Sequence, residues 1–391
     1  MPLGPPRPRP LDGVLVLDLT RLLPGDFTTW VLADLGADVV KVEDTAGGDY
    51  MRWMPPLAGH SGAMYNSINR GKRCIRLDLK QDRGRDVLLR LAARSDVLVE
   101  GFRPGTLDRL GVGFEVLSAR NPGLVYCAIT GYGQDGPYSQ RVGHDLDYIA
   151  LAGLLGVTGT SSGELAIPGF QVADMAGGGM SGALAVLAGL LARERDPERR
   201  GAFLDVSMFD GVAAILAPHL GRFLADGEAA LPGRMHLNGR YPCYHLYRSR
   251  DQRWMALAAL EPKFWAAFCA LVERPDLLAR QFEDEPAAVA AVQEVIGSRT
   301  RAEWVAATDG RDVCLEPVND LAEAAADPHA AARGLALDGE SGTQPAPLVR
   351  FPGQPAPNTH VASQGEHSDE VLGELGYSRA EVDALRSAGI I

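Results

Sequence analysis

Two stretches, thirty positions apart, carry the residue types that move protons. "GHDLDYIALAGLL" (Gly143–Leu155) sets His144 and Asp145 ahead of an apolar run, and "ADMAGGGM" (Ala173–Met180) sets a lone acid, Asp174, before three glycines. An unperturbed imidazole titrates near pH 6.5, so it can take or give a proton at neutrality. A carboxyl approaches that range where burial lifts its pKa, while a helix N-terminus works the other way. Placed on opposite sides of one carbon acid, such a pair can remove a proton from one face and return one to the other. Plainer roles compete with this reading. Asp145 and Asp147 can cap a helix running through Leu155, and Asp174 can cap the next one. The unpaired N–H groups at that second helix start are candidate donors to an oxyanion. Gly177, Gly178 and Gly179 each cost a helix about 1 kcal/mol relative to alanine, so close packing or a ligand must require them.

Other charged residues fall where ligands bind. Glu261 in "ALEPKFW" lies between a strand and a helix, with Pro262 at the first helical position. Its carboxylate is either a helix-start charge or a partner that orients His144. Arg70, Lys72, Arg73 and Arg76 crowd "INRGKRCIRLDLK", Lys41 ends a strand, and Arg103 lies in "GFRPG". Such cations at strand ends suit phosphates, and solvated surface charge is the alternative.

The elements that must position these residues alternate. "GVLVLDLT" reads as a buried strand, Phe27 to Leu35 as a helix closed by Gly36, and "ADVVKVE" as a second strand. The pattern continues through helix "RGRDVLLRLAARS", strand "DVLVEGF", helix "GFEVLSARN" and strand "LVYCAIT". Repeated strand–helix–strand units imply an α/β fold around a parallel sheet, with ligands at the carboxyl ends of its strands. "PGDF", "EGFRPG" and "TGYGQDGP" all fall at such ends. The turn after the first strand lacks G-x-G-x-x-G, which argues against a nicotinamide-linked oxidoreductase.

With 391 residues the chain exceeds one core. We read 1–225 as a large domain, 226–330 as a smaller α+β domain entered near a Gly/Pro-bearing stretch, and 331–391 as a segment returning to the first. In the smaller domain "YHLYRSRDQRWMALAAL" reads as a strand pair followed by two helices. The formal charge of −12 argues against nucleic acid as the main partner. Five scattered cysteines without a C-x-x-C pair fit reduced thiols in the cytoplasm. His236, Cys243 and His245 lack zinc spacing, so no metal is expected. The Pro-rich opening reads as a loose tail, and no apolar run nears the ~18 residues of a membrane span.

Several of these stretches together resemble a known family. "LADLGADVVKVE", "NRGKRCIRLDLK", "EGFRPGTLDRLGVG", "TGYGQDGP", "GHDLDYIALAG", "VADMAGGGM", "VSMFDG" and "LEPKFW" occur in the order found in the family III CoA-transferase superfamily, the CaiB/BaiF group. Within it the chain is most similar to the α-methylacyl-CoA racemases. The resemblance implies a Rossmann-like large domain, an interlocked homodimer with each active site shared between two chains, and an acyl-CoA substrate with no separate cofactor. It implies His144 and Asp174 as the two bases of a racemase acting on 2-methylacyl-CoA thioesters through an enolate, with Glu261 supporting the histidine and Asp145 beside it. Lys41, Lys72, Arg73 and Arg103, with Gly131, Tyr132 and Gly133 of "TGYGQDGP", are the expected CoA-binding positions. The same superfamily holds transferases, in which the acid at Asp174 is a nucleophile; that is the alternative reaction. A CoA-binding protein without catalysis is a third possibility.

Overall fold

The computed structural model describes residues 8–228, 230–340 and 342–391; the first seven residues of the opening stretch read as a tail lie outside these. The apolar runs become six parallel strands: β1 (Leu15–Leu19), β2 (Asp38–Glu43), β3 (Lys72–Arg76), β4 (Val97–Glu100), β5 (Val125–Thr130) and β6 (Ala202–Ser207). Their order across the sheet is β3-β2-β1-β4-β5-β6, which is that of doubly wound nucleotide-binding folds. Side chains alternate faces along each strand. Leu17, Leu19, Val40, Val42 and Ile75 enter one apolar core, shared with Val87, Leu117, Val371 and Leu385 from helices at 82–92, 114–120, 368–374 and 379–387. The alternate residues Asp18, Lys41, Glu43, Lys72 and Cys74 are also buried, on the opposite face.

β3 corrects the sequence reading, which takes "INRGKRCIRLDLK" only as a basic cluster. Its cations hide a strand because carboxylates elsewhere neutralise them: Lys72 pairs with Asp18 at 3.3 Å, and Arg73 with Asp38, Glu370 and Glu374 at 2.6 to 3.0 Å.

Helix α1 (Leu22–Asp34) begins ahead of the expected Phe27, with Pro24 in its first turn, where a missing N–H costs nothing. Helix α2 (Asp145–Leu151) ends before Gly153, whose φ of 91° breaks the run expected to reach Leu155. A further helical run opens as a π-helical stretch, Ala173–Met180, and continues as α3 (Ser181–Arg195); helix α4 (Met208–Ile215) follows β6.

The three glycines of the π-helical stretch answer to packing. A Cβ on Gly177 would lie 2.6 Å from the Met208 carbonyl oxygen, on Gly178 3.0 Å from the Pro24 side chain, and on Gly179 2.8 Å from the Phe27 ring. α1 and α4 approach this helix too closely for any side chain. The same contact is seen from the other side at Gly211, where a Cβ would meet Gly177 O at 2.3 Å. Gly211→Ala should therefore cost about 3 kcal/mol or more, because backbone cannot move aside as a side-chain tip can. Gly221→Ala, on a helix (Ala217–Asp226) with nothing within 4 Å of the new methyl, should gain about 0.5–1 kcal/mol. Urea unfolding midpoints of the two variants check the contrast.

By length and composition the run Ala173–Arg195 is apolar enough to cross a membrane, against the expectation that no run comes near. Its apolarity has a packing cause. Gly182, Ala183, Val186, Gly189 and Leu190 are buried, and a Cβ on Gly189 would already touch Val125 of β5 at 2.8 Å.

Contacts group the described residues into two compact units: those up to 152 with 170–215 and 333–391, and those of 153–169 with 216–332. Residues 153–169 and 216–225, which the sequence reading leaves in the larger domain, thus fall in the second unit. The cause is local pairing: Gly159 bridges Leu165, Asn238 donates to Val157 O at 3.4 Å, and Gly233 lies against the Ser161 backbone. The second unit has a three-stranded antiparallel sheet, β7 (Tyr244–Arg248), β8 (Trp254–Ala258) and β9 (Leu315–Pro317), in the order β9-β8-β7. Its core of Tyr247, Met255, Leu257, Trp265, Phe268 and Trp304 is closed by helices at 262–271, 286–296 and 301–308. The helix Pro286–Ile296 is absent from the sequence reading, its Ala/Val run carrying little periodicity.

Candidate active site

In the first unit a cavity of about 530 Å³ opens at the carboxyl ends of three strands. Arg21 and Leu22 follow β1, Gly101 and Arg103 follow β4, and Thr130 and Gly131 belong to the end of β5; all line it. β1 and β4 are the neighbours at which the strand order reverses, the place where doubly wound sheets bind ligands. The remaining wall brings together Arg141, His144, Tyr148 and Asp174. The two residues singled out for proton transfer thus share one cavity.

His144 is exposed and stands as the N-cap residue of α2. Its own backbone N–H donates to Asp147 Oδ2 at 2.9 Å, the reciprocal bond of a helix start. Asp174 lies within the first turn of its helix, Val172 being the N-cap, and its carboxylate has no hydrogen-bond partner among the described residues. Burial pushes that carboxyl up to about 6; Asp145 pushes in the same direction, and His144 opposes. Burial and the Asp145 charge together therefore outweigh the opposing pull of His144.

Asp145 takes a different part from the one expected. It does not line the cavity. Its Oδ1 accepts from the backbone N–H of Ala173 at 2.6 Å and of Asp174 at 3.1 Å. It thereby ties the start of α2 to the start of the π-helical stretch. Those amides, taken from the sequence as oxyanion donors, are consequently occupied, and the Met175 N–H is spent on Gln171 O.

The basic residues divide sharply. Lys41 sits inside β2 rather than at its end and is wholly buried among Asp26, Asp49 at 3.1 Å and Asp18 at 3.9 Å, and it donates to Thr20 O. Burial alone would lower its pKa, but these carboxylates hold it well above the ordinary lysine value. Lys72 is buried beside Asp18 and Asn69, and Arg73 ties β3 to the helix at 368–374. None of the three lines the cavity. Arg103 does face it, is exposed, and its guanidinium makes no hydrogen bond or ion pair among the described residues. Two arginines missed from the sequence join it. Arg21 is held by Asp44 at 2.7 Å, and Arg141 lies over the Tyr138 ring. The available signal is position alone: Arg21 follows the first strand, and Arg141 precedes the Gly-His-Asp triplet.

Of "TGYGQDGP", Gly131 lines the cavity, whereas Tyr132 and Gly133 do not. Tyr132 is buried against Tyr138, Tyr148 and Phe209, and Gly133, at a φ of 85°, donates to Thr130 Oγ1. Glu261 belongs to the second unit, where it is the N-cap residue of the helix Pro262–Leu271, its carbonyl accepting from Phe264 and Trp265 and its side chain exposed.

The model of CoA-transferase family III matches residues 11–366. The α-methylacyl-CoA racemase of Homo sapiens is 36% identical over 97% of this chain and 97% of its own length. The succinyl-CoA:glutarate CoA-transferase of Homo sapiens is 31% identical over 98% of this chain and 90% of its own. Among solved structures, a CAIB/BAIF family protein from Brucella suis matches with a TM-score of 0.83 at 31% identity, over 94% of this chain and 100% of that one. A hypothetical protein from Mycobacterium tuberculosis matches with a TM-score of 0.80 at 33% identity, over 93% and 99%.

Proposed function

The chain belongs to CoA-transferase family III, and on that premise we propose that it is a racemase interconverting (R)- and (S)-2-methylacyl-CoA thioesters. The observation that carries the reading is the sharing of one cavity by His144 and Asp174, the latter with an unpartnered carboxyl raised to about 6. A group poised near neutrality can serve as base for one enantiomer and, loaded, as acid for the other. One of the pair removes the α-proton, the electrons of that C–H bond move into the thioester to form the enolate, and the other returns a proton to the opposite face. Arg21, Arg103 and Arg141 give the cavity the cations that CoA phosphates need, and they supply positive potential where the enolate oxygen gains charge.

Transfer of CoA to a free acid, with Asp174 as nucleophile, is the second reading. The transferase relatives favour it, since they match at comparable identity and coverage, and a free carboxylate can attack a thioester carbonyl as well as take a proton. Incubation of a single enantiomer of a 2-methylacyl-CoA in heavy water separates the two. The racemase puts deuterium at C2 with no acceptor acid present; absence of label, with CoA passing to an added acid, would establish the transferase instead. For the enantiomer whose proton Asp174 takes, wash-in should rise with pH through about 6 and then level, because the carboxyl must be empty to act. A profile flat from about pH 5 to 8 would contradict that assignment.

A homodimer in the cytoplasm belongs to the same proposal. Met180, Leu184 and Leu191 form an exposed apolar stripe along one helical run, with Leu184 69% exposed, a surface of the kind partners cover. Mass measured by light scattering tests it.

A further inference from the structure

The peptide unit that joins Gly143 to His144 is held at both of its polar ends. Its N–H, on His144, donates to the Asp147 carboxylate at 2.9 Å. Its carbonyl, on Gly143, accepts from the Tyr148 hydroxyl at 2.6 Å. Both partners come from the first turn of α2, the helix that His144 itself opens. A peptide fixed at oxygen and nitrogen has a fixed plane, and the plane sets the direction in which the next side chain leaves the backbone.

The ring of Tyr148 is built into its place. It is 5% exposed and the Tyr132 ring backs it edge-on, at 5.0 Å and 83°. Two glycines clear the space. A Cβ on Gly131 would lie 2.5 Å from the Tyr148 ring, and one on Gly143 2.8 Å from it. Neither glycine has the left-handed backbone that would require glycine on its own account. At each position the Tyr148 ring is the nearest group that a side chain would meet. The sequence thus gives up side chains at two positions to let one phenol lie flat against the backbone before the histidine.

We infer that Tyr148 is a positioning residue for the proton transfer, its hydroxyl locking the Gly143–His144 peptide and so aiming the imidazole at the α-carbon of the bound thioester. The inference rests on the two-base reading. It assigns Tyr148 no contact with the proton in flight; it acts through His144.

Tyr148→Phe removes the one hydrogen bond and keeps the ring that fills the site. The reading is stereochemical. Each enantiomer of the substrate loses its α-proton to one base, so deuterium wash-in is followed separately from the (R) and the (S) thioester. His144→Ala first identifies the enantiomer that His144 serves. Tyr148→Phe should slow wash-in from that enantiomer roughly ten- to a hundredfold and change the other less than about twofold. The ratio of the two rates is internal to one sample, so any change in the folded fraction cancels, and a purely structural lesion would slow both alike. Equal slowing of both enantiomers, or of neither, overturns the positioning role while His144→Ala remains one-sided. If His144→Ala itself affects neither enantiomer selectively, the two-base reading fails and the positioning role falls with it.

Discussion

Asp174→Asn is expected to abolish racemisation at the α-carbon, and deuterium wash-in from the enantiomer that Asp174 serves, while making the protein harder to unfold at pH 7. Asparagine keeps the shape of aspartate but cannot carry a proton away, and loss of one general acid–base group lowers rates by about 10²–10⁴-fold. Because the cavity's arginines are untouched, acyl-CoA should still bind within a few-fold. The gain in stability comes from the same burial that equips the residue. A carboxyl at about 6 in the folded chain against 3.8 ordinarily opposes folding once pH passes the lower value. The cost grows between the two values and is constant above the upper one. It is bounded at roughly 3 kcal/mol, from a rise of about two units, and partial solvent access reduces it. Thermal unfolding at pH 4 and at pH 7 should therefore show the variant ahead only at the higher pH. Unchanged exchange activity in the variant would remove Asp174 from the reaction.

The second large effect concerns stability alone. Lys41→Met should destabilise the first unit by about 3–5 kcal/mol, since removing one partner leaves buried charge uncompensated. Three carboxylates, Asp18, Asp26 and Asp49, lose their shared ammonium. Burial opposes the charge on Asp49, yet Lys41 beside it holds that carboxyl down at about 2. Without the lysine these groups should titrate above their unfolded values, so the loss should shrink as pH falls from 8 towards 5. Urea unfolding at the two pH values measures it. A tenfold rise in KM for acyl-CoA with unchanged unfolding would instead return Lys41 to the CoA site, against its complete burial.

The comparison of Lys41 with Arg103 shows what a sequence can and cannot say here. The sequence reads Lys41 as ending a strand and Arg103 as following one, and residue type assigns both to phosphate. What separates them is the company each keeps in space: Asp18, Asp26 and Asp49 come from three different segments, and no local spacing announces that they converge. Arg21 and Arg141 were overlooked for the complementary reason, that each stands alone in the sequence. The alternating strands and helices were legible because burial of an apolar face imposes its period on the residues themselves. β3 escaped notice because its buried face is charged. His144 and Asp174 were legible as chemistry because few side-chain types can both take and give a proton in an enzyme site. The glycines beside Asp174 raised a proper question, and only the neighbouring helices could answer it.

Asp145 acts as a staple across the neck of a detour. Between the two bases the polypeptide leaves for residues 153–169, which are grouped with the second unit, and comes back just before Asp174. With both sides of the neck fastened by one carboxylate, the detour can grow, shrink or change character without moving the jaws apart. New tastes in substrate can then be acquired along that excursion while the reaction itself is inherited intact.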